Sequence, residues 1–394
     1  MAIHDEGTPA GGSLRIIGIS CLLVWLLGFG SALGADANLP RVEPGIEYLH
    51  DRIGDGPWSI HVVKVDRSGG RFGLVSTLAR GHIDGLAGVH EQVESLGATC
   101  GRPVAAINGD FFIIRPGPYQ GDPIGLHIVQ GELVSAPAGA SFWVDKEGNP
   151  HLGRVTARFR ATGPDGLDLA FSLNEDRADD EAVLYTPALG ASTRTGPGLE
   201  LVLERAGAGD WLPLRPGGRY QARISAHYRQ GNARLTPQTM ILSIGPVLAE
   251  KLRAPAPGAV ISLDVQTTPD LTGVTTALGG GPVLLDAGQV PNWRPPQPRH
   301  PRTVLGWNNE HFFLMVVDGR QKSLSAGMTY PELAALMRRL GCTHAINLDG
   351  GGSSTLWLDG HIMNSPSDGH ERRVANGLVV VSKEQNSNET QAGH

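Results

Sequence analysis

Two short polar stretches bring together the residue types that could do chemistry on a sugar or a phosphate. The first is Asn347-Leu348-Asp349-Gly350-Gly351-Gly352-Ser353-Ser354. It offers a carboxylate, two hydroxyls, a carboxamide and three consecutive glycines. A glycine run is costly in chain entropy and makes sense where backbone must turn sharply or approach another group closely. Exposed N–H groups in such a loop can cradle an anion, and Asp349 at a strand end can act on a polar substrate. The competing reading is a tight structural turn. The second stretch is Ile107-Asn108-Gly109-Asp110-Phe111-Phe112. An apolar run delivers an amide and a carboxylate to a turn. Its alternative is an Asx-turn followed by core aromatics.

The elements that must position these groups can be read from local pattern. Thr329 and Glu332 have capping-box spacing, with Pro331 in the first turn. Leu333, Leu336, Met337 and Leu340 then form one apolar helix face, Arg338 and Arg339 suit the C-terminal end, and Gly341 stops the helix. A strand is expected over 343–348 and another over 355–358, flanking the glycine run. Upstream, strands are expected over 58–66 and 71–78, a helix over 82–98 and a strand over 104–107. A hairpin turns at Gln130-Gly131, and His127 reads as a structural residue of its strand. Residues 141–265 alternate apolar and polar runs with Gly, Asn, Pro and Asp turns, which predicts a β-rich lobe. The charged run 175–181 lacks calcium-loop spacing and reads as an exposed connection. Strands are expected at 304–307, 311–317 and 378–381.

Composition supports the same class. In 394 residues there are 54 glycines and 28 prolines, and only 18% of residues are charged, so turns and short strands outweigh long surface helices. The net charge is −6 with no basic tract, which argues against nucleic acid. The expected fold is α+β: a β-rich mixed-sheet domain over 58–382 with a few packing helices, a β-rich middle lobe, a polar lead-in over 36–57 and a loose tail over 383–394. Residues 16–35 are hydrophobic, preceded by Arg15 and ending in a small-x-small pattern before Ala35. They fit either a cleaved signal peptide or an N-terminal membrane anchor, so that 1–35 is a targeting segment and the remainder is extracytoplasmic. Cys100 and Cys342 would remain after cleavage and are candidates for one disulfide. The glycines of 279–281 precede Pro282, which has no N–H, so they make a less complete anion nest, and they lack dinucleotide-binding spacing.

Six landmarks occur in order: INGDFF at 107–112, GGGPVLL at 279–285, PRTVLGW at 301–307, VVDGRQKSLSAGMT at 316–329, GCTHAINLDGGGSSTLW at 341–357 and ERRVANGLVVV at 371–381. Together they resemble the phosphodiester glycosidase family, that of the lysosomal mannose 6-phosphate uncovering enzyme. The resemblance spans about residues 60–382. It implies hydrolysis at the anomeric carbon of a sugar held in a phosphodiester, releasing sugar and a phosphomonoester. A glycan or sugar phosphodiester is then the substrate.

On that basis Asp349 and Asp110 are the candidate catalytic carboxylates, and Arg302 is the guanidinium that forks onto phosphate. Asn108, Thr303, Arg320, Asn347, Gly350, Gly351, Gly352, Ser353 and Ser354 are candidate substrate contacts. Asp318, Gly280 and Gly281 are supporting residues, with Asp318 able to orient Arg302 or hold a loop. No cofactor is required by this chemistry. A metal-assisted phosphodiesterase using Asp110, Asp318 and Asp349 as oxygen ligands of a divalent cation stays open, although His311, His344, His361 and His370 are scattered. A non-enzymatic glycan-binding envelope protein is the third reading.

Overall fold

The structure, a computed structural model, describes residues 42–53, 57–293 and 298–383. The hydrophobic segment 16–35 and the end of the tail, 384–394, lie outside them. Among the described residues no helix is long and apolar enough to cross a membrane.

The architecture is α+β and dominated by antiparallel sheet, with few and short helices. Two sheets pack face to face. One has six strands in the order Ile46–Ile53, Trp58–Asp66, His311–Val317, Arg302–Trp307, His344–Asn347 and Val283–Leu285. The other has five, in the order His361–Ile362, Leu356–Leu358, Arg102–Asn108, Asn376–Ser382 and Phe72–Leu78. Val63, Leu305, Leu314 and Ile346 from the first meet Ile107, Leu356, Leu378 and Val380 from the second in one core. Strands buried on both faces need near-continuous apolar runs, which is why His311–Val317 reads HFFLMVV.

A helix covers the outer face of each sheet. Tyr330–Arg339 lays Leu333, Leu336 and Met337 on Val304, Met315 and Ala345. Each such side chain contributes about 1.5–3 kcal/mol on full burial. The expected capping box is present: Thr329 N–H donates to Glu332 Oε2 at 2.8 Å, and Glu332 N–H to Thr329 Oγ1 at 3.3 Å. On the other side Val89 and Val93 pack on Ala106, Val379 and Val381. This second helix is only Val89–Glu94, not 82–98. Gly85 is pressed against the Ala79 carbonyl, where a Cβ would stand 2.0 Å from the oxygen, and Ala87 pairs with Val374 as an isolated bridge. Those contacts hold 82–87 out of helical geometry despite the spacing of Leu86, Val89, Val93 and Leu96.

The β-rich stretch forms an eight-stranded sheet with its own core, including Phe159, Leu201, Tyr220, Leu242 and Leu263. A further five-stranded sheet contains Thr276–Gly280 and the hairpin His127–Val129 with Glu132–Ser135. Two expectations are corrected. The lead-in 36–57 contains an edge strand, Ile46–Ile53, paired along its whole length with Trp58–Asp66. Cys100 and Cys342 are both free. Cys342 is buried under the Tyr330–Arg339 helix, whereas Cys100 lies in the turn before Arg102–Asn108, on the other sheet.

Candidate active site

The strand register puts Asn347, Arg302 and Val317 at one end of the six-stranded sheet and Asn108, Leu356 and Asn376 at one end of the five-stranded sheet. Asn108 joins the two ends. Its Nδ2 donates to the Asp349 carbonyl at 2.7 Å. Its Oδ1 accepts from the Thr303 hydroxyl at 2.7 Å and from Thr355 N–H at 3.0 Å. A carboxamide can donate and accept at once, which a carboxylate cannot. Asn108 and Thr303, expected to meet substrate, are fully buried and engaged with each other.

The two candidate carboxylates come together. Asp349 N–H bonds the Gly109 carbonyl at 3.0 Å, which ties the glycine run to the INGD turn. Asp110 is almost fully buried. Its Oδ1 accepts from Phe111 N–H at 2.8 Å and its Oδ2 from Gly125 N–H at 2.7 Å. Gly279 closes over it: a Cβ there would lie 2.3 Å from Oδ2. Burial pushes the Asp110 carboxyl up to about 7, two backbone N–H donors oppose that, and the nearby Asp349 charge adds to it. Burial also raises Asp349. Bonds from the Ser353 hydroxyl and Gly350 N–H, and the charges of Arg372 and Arg320, pull it back. Burial thus moves both carboxyls above the ordinary aspartate range.

The glycine run works differently from an anion nest of three amides. Gly350 N–H bonds Asp349 Oδ1 at 2.8 Å and Gly351 N–H bonds the Pro301 carbonyl at 2.9 Å. Two of the three donors already have acceptors. The glycines instead admit two guanidinium groups. A Cβ on Gly351 would meet Arg320 Nη2 at 2.9 Å, and one on Gly352 would meet Arg372 Nη2 at 2.1 Å. Gly351 also has φ +64°, which an L side chain rarely adopts.

The cations differ in freedom. Arg302 is 6% exposed. Its Nε donates to the Met328 carbonyl and one Nη to the Pro298 carbonyl, each at 3.0 Å, and its guanidinium lies 4.1 Å from the Tyr330 ring centroid. It has no carboxylate partner among the described residues. Arg320 is exposed, holds a left-handed φ of +59° and is likewise without a carboxylate among the described residues. A non-glycine residue in that conformation stores strain, which is commoner at functional sites. Arg320 Nη2 stands 3.4 Å from His300 Nδ1, and burial together with Arg302 and Arg320 lowers the His300 pKa. Arg372 is paired with Asp368 at 2.7 Å and reaches the Ser353 hydroxyl at 3.4 Å.

Asp318 supports a loop and does not touch Arg302. Its carboxylate accepts from His61 at 3.0 Å, Ser365 N–H at 2.8 Å and Asn364 at 3.3 Å. Among the described residues no group of three His, Cys, Asp or Glu side chains could hold a metal ion, so Asp110, Asp318 and Asp349 do not form a ligand set. Gly281 and Asn347 brace each other: Gly281 N–H donates to the Asn347 carbonyl at 2.7 Å, and Asn347 Nδ2 to the Gly281 carbonyl at 2.8 Å. Gly280 has no room for a Cβ beside the Asn347 carbonyl, at 2.9 Å. Asn347 Oδ1, Ser354 Oγ and Asn376 Nδ2 are buried polar atoms with no protein partner. His300, Arg372 and Asn376 join the site without having been singled out in the sequence. Asn376 Oδ1 accepts from Asp110 N–H at 2.8 Å. The ERRVAN motif was the available signal for two of them.

The phosphodiester glycosidase family model matches residues 220–381. An uncharacterised SPβ prophage-derived protein of Bacillus subtilis is 36% identical over 93 residues, which is 23% of this chain and 14% of that protein. A hypothetical protein from Synechocystis superposes with a TM-score of 0.68 at 21% identity, covering 88% of this chain and 65% of that one. A protein of Burkholderia pseudomallei described as exported gives a TM-score of 0.65 at 23% identity, covering 83% and 74%. The chain thus spans a minor part of the curated relative and about two thirds of the first structure. At these identities the structural likeness establishes the fold. Over residues 220–381, which carry Asp349, the glycine run and Arg302, Arg320 and Arg372, the chain is related, distantly, to the phosphodiester glycosidases.

Proposed function

We propose that this chain is a hydrolase that cleaves the glycosidic bond of a sugar-1-phosphodiester, releasing free sugar and a phosphomonoester. The observation that carries the reading is the pairing of two shielded carboxyls, Asp110 and Asp349, with cations gathered over one glycine turn. A phosphodiester leaving group is already a good anion. It needs positive charge and directed donors more than a strong acid. Arg320 supplies them from the open side and Arg372 from the facing loop, while Arg302 fixes the start of its strand. Asp349, raised by burial and drawn back by its donors, faces the anomeric carbon and in its ionised form stabilises the developing positive charge. Asp110 exchanges the proton of the attacking water, a task suited to a carboxyl near neutrality. Asn108 and Asn376 hold the two carboxylate-bearing turns in register.

The hydrophobic segment 16–35 and the likeness to an exported protein favour an extracytoplasmic enzyme acting on an envelope or extracellular glycan phosphodiester. The test is a panel of sugar-1-phosphodiesters analysed by mass spectrometry, with Asp349→Asn as control. Free sugar plus phosphomonoester, lost in the variant, supports the reading. Sugar 1-phosphate plus the other alcohol would replace it with a phosphodiesterase, and saturable glycan binding without turnover would replace it with a binding protein.

A further inference from the structure

The cation cradle has a consequence for the end of the reaction. Two guanidinium groups, Arg320 and Arg372, lie against the glycine turn, and Arg320 has no carboxylate partner among the described residues. An exposed guanidinium without a carboxylate is free to fork onto an anionic ligand. Arg372 is matched by Asp368, and Arg302 lies behind, held by the Met328 and Pro298 carbonyls. His300 Nδ1 stands 3.4 Å from Arg320 Nη2, and burial, with the charges of Arg302 and Arg320, lowers its pKa. The opposing charge is Asp349, which is turned toward Ser353 and Gly350 N–H.

Hydrolysis changes the ligand that this cradle holds. The substrate phosphodiester carries one negative charge and two non-bridging oxygens. Water adds to the anomeric carbon, the bond from that carbon to the phosphate oxygen breaks, and the bonding pair stays with that oxygen. One water proton remains on the sugar hydroxyl and the other passes to the carboxylate. The product is a phosphomonoester with three terminal oxygens and, above about pH 6, two negative charges. Charge-assisted bonds to guanidinium are the stronger class, and each extra oxygen adds an acceptor.

Resting on the phosphodiester reading above, we propose that the Arg320–Arg372 cradle at the glycine turn binds the phosphomonoester product more tightly than the diester substrate, so that product release limits turnover and the product inhibits it. The free sugar, neutral and lacking a cationic anchor, leaves first.

The experiment uses two minimal probes on the full-length chain, methyl phosphate and dimethyl phosphate, titrated by calorimetry at pH 5.0 and 7.5. Dimethyl phosphate is a monoanion at both values, so the ratio of the two affinities removes any titration of His300, Asp349 or Asp110. The expected ratio is about tenfold in favour of methyl phosphate at pH 7.5 and within about twofold at pH 5.0. Arg320→Ala, at an exposed position, should reduce the ratio at pH 7.5 to about threefold or less. Methyl phosphate should also inhibit turnover competitively, with an inhibition constant matching its affinity. Equal affinity for the two probes at pH 7.5, or a ratio untouched by Arg320→Ala, overturns the proposal. Equal affinity in a protein that still yields free sugar sinks product retention and leaves the glycosidase reading standing. A tenfold ratio in a protein that yields sugar 1-phosphate sinks that reading and keeps the charge preference.

Discussion

Asp110 should titrate near neutrality, and that behaviour should be visible in stability as well as chemistry. Its ordinary value is 3.8 and burial raises it to about 7 in the folded chain. The gap corresponds to roughly 4 kcal/mol. The folded form binds a proton that the unfolded chain has already released between these two values. Stability is therefore complete below about 3.8 and falls as pH rises through about 7. Asp349, Asp122 and Glu132 are also raised by burial and act in the same direction, so the wild-type slope alone does not isolate Asp110. The perturbation is Asp110→Asn. It loses the titration, and its changed bonds to Phe111 and Gly125 N–H add only a constant offset. Urea unfolding of both proteins from pH 4 to 8 should show their difference moving by about 4 kcal/mol in favour of the variant as pH rises. Carbon-13 carboxyl spectra of aspartate-labelled protein, compared between the two, should identify one resonance with a midpoint near 7. A flat difference together with a midpoint near 4 would refute the assignment of Asp110 as a shielded proton exchanger.

Arg320→Ala should lower kcat/KM by roughly 10- to 100-fold with no loss of thermal stability, since the side chain is exposed; equal activity would remove Arg320 from the site. Asn108→Ala should cost roughly 2–4 kcal/mol in unfolding experiments, because it leaves Thr303, Thr355 N–H and the Asp349 carbonyl without their partner; a neutral effect would mean that the sheet ends are held otherwise. Reductant should leave the melting temperature unchanged because Cys100 and Cys342 are unpaired; a drop on reduction would contradict their separation.

Local features were legible in the sequence where one segment contains the whole reason. The capping box at Thr329 and Glu332, the HFFLMVV strand and the Gln130-Gly131 hairpin all formed as spacing predicts. The helix over 82–98 did not, because contacts of Gly85 with Ala79 and of Ala87 with Val374 overrode its period. The strand Ile46–Ile53 was hidden because most of its residues face solvent and only pairing with Trp58–Asp66 defines it. In the site, Asp110 and Asp349 were visible as carboxylates at strand ends, and the structure brings them together through Gly109 and Asn108. The purpose of the glycines was not visible. The sequence suggests amide donors, whereas their lack of Cβ admits Arg320 from one loop and Arg372 from another, contacts made across 31 and 20 residues of sequence. Asp318 shows the same limit, since its partners His61, Asn364 and Ser365 come from segments far apart in the chain.

The central claim is that the bond broken is the one between the anomeric carbon and oxygen. Hydrolysis of an accepted sugar-1-phosphodiester in oxygen-18 water tests it most directly. The account predicts a phosphomonoester product without label, since the phosphate keeps all of its oxygens, alongside free sugar, with both products absent for Asp349→Asn. Label in the phosphate of the product, or release of sugar 1-phosphate, would contradict it.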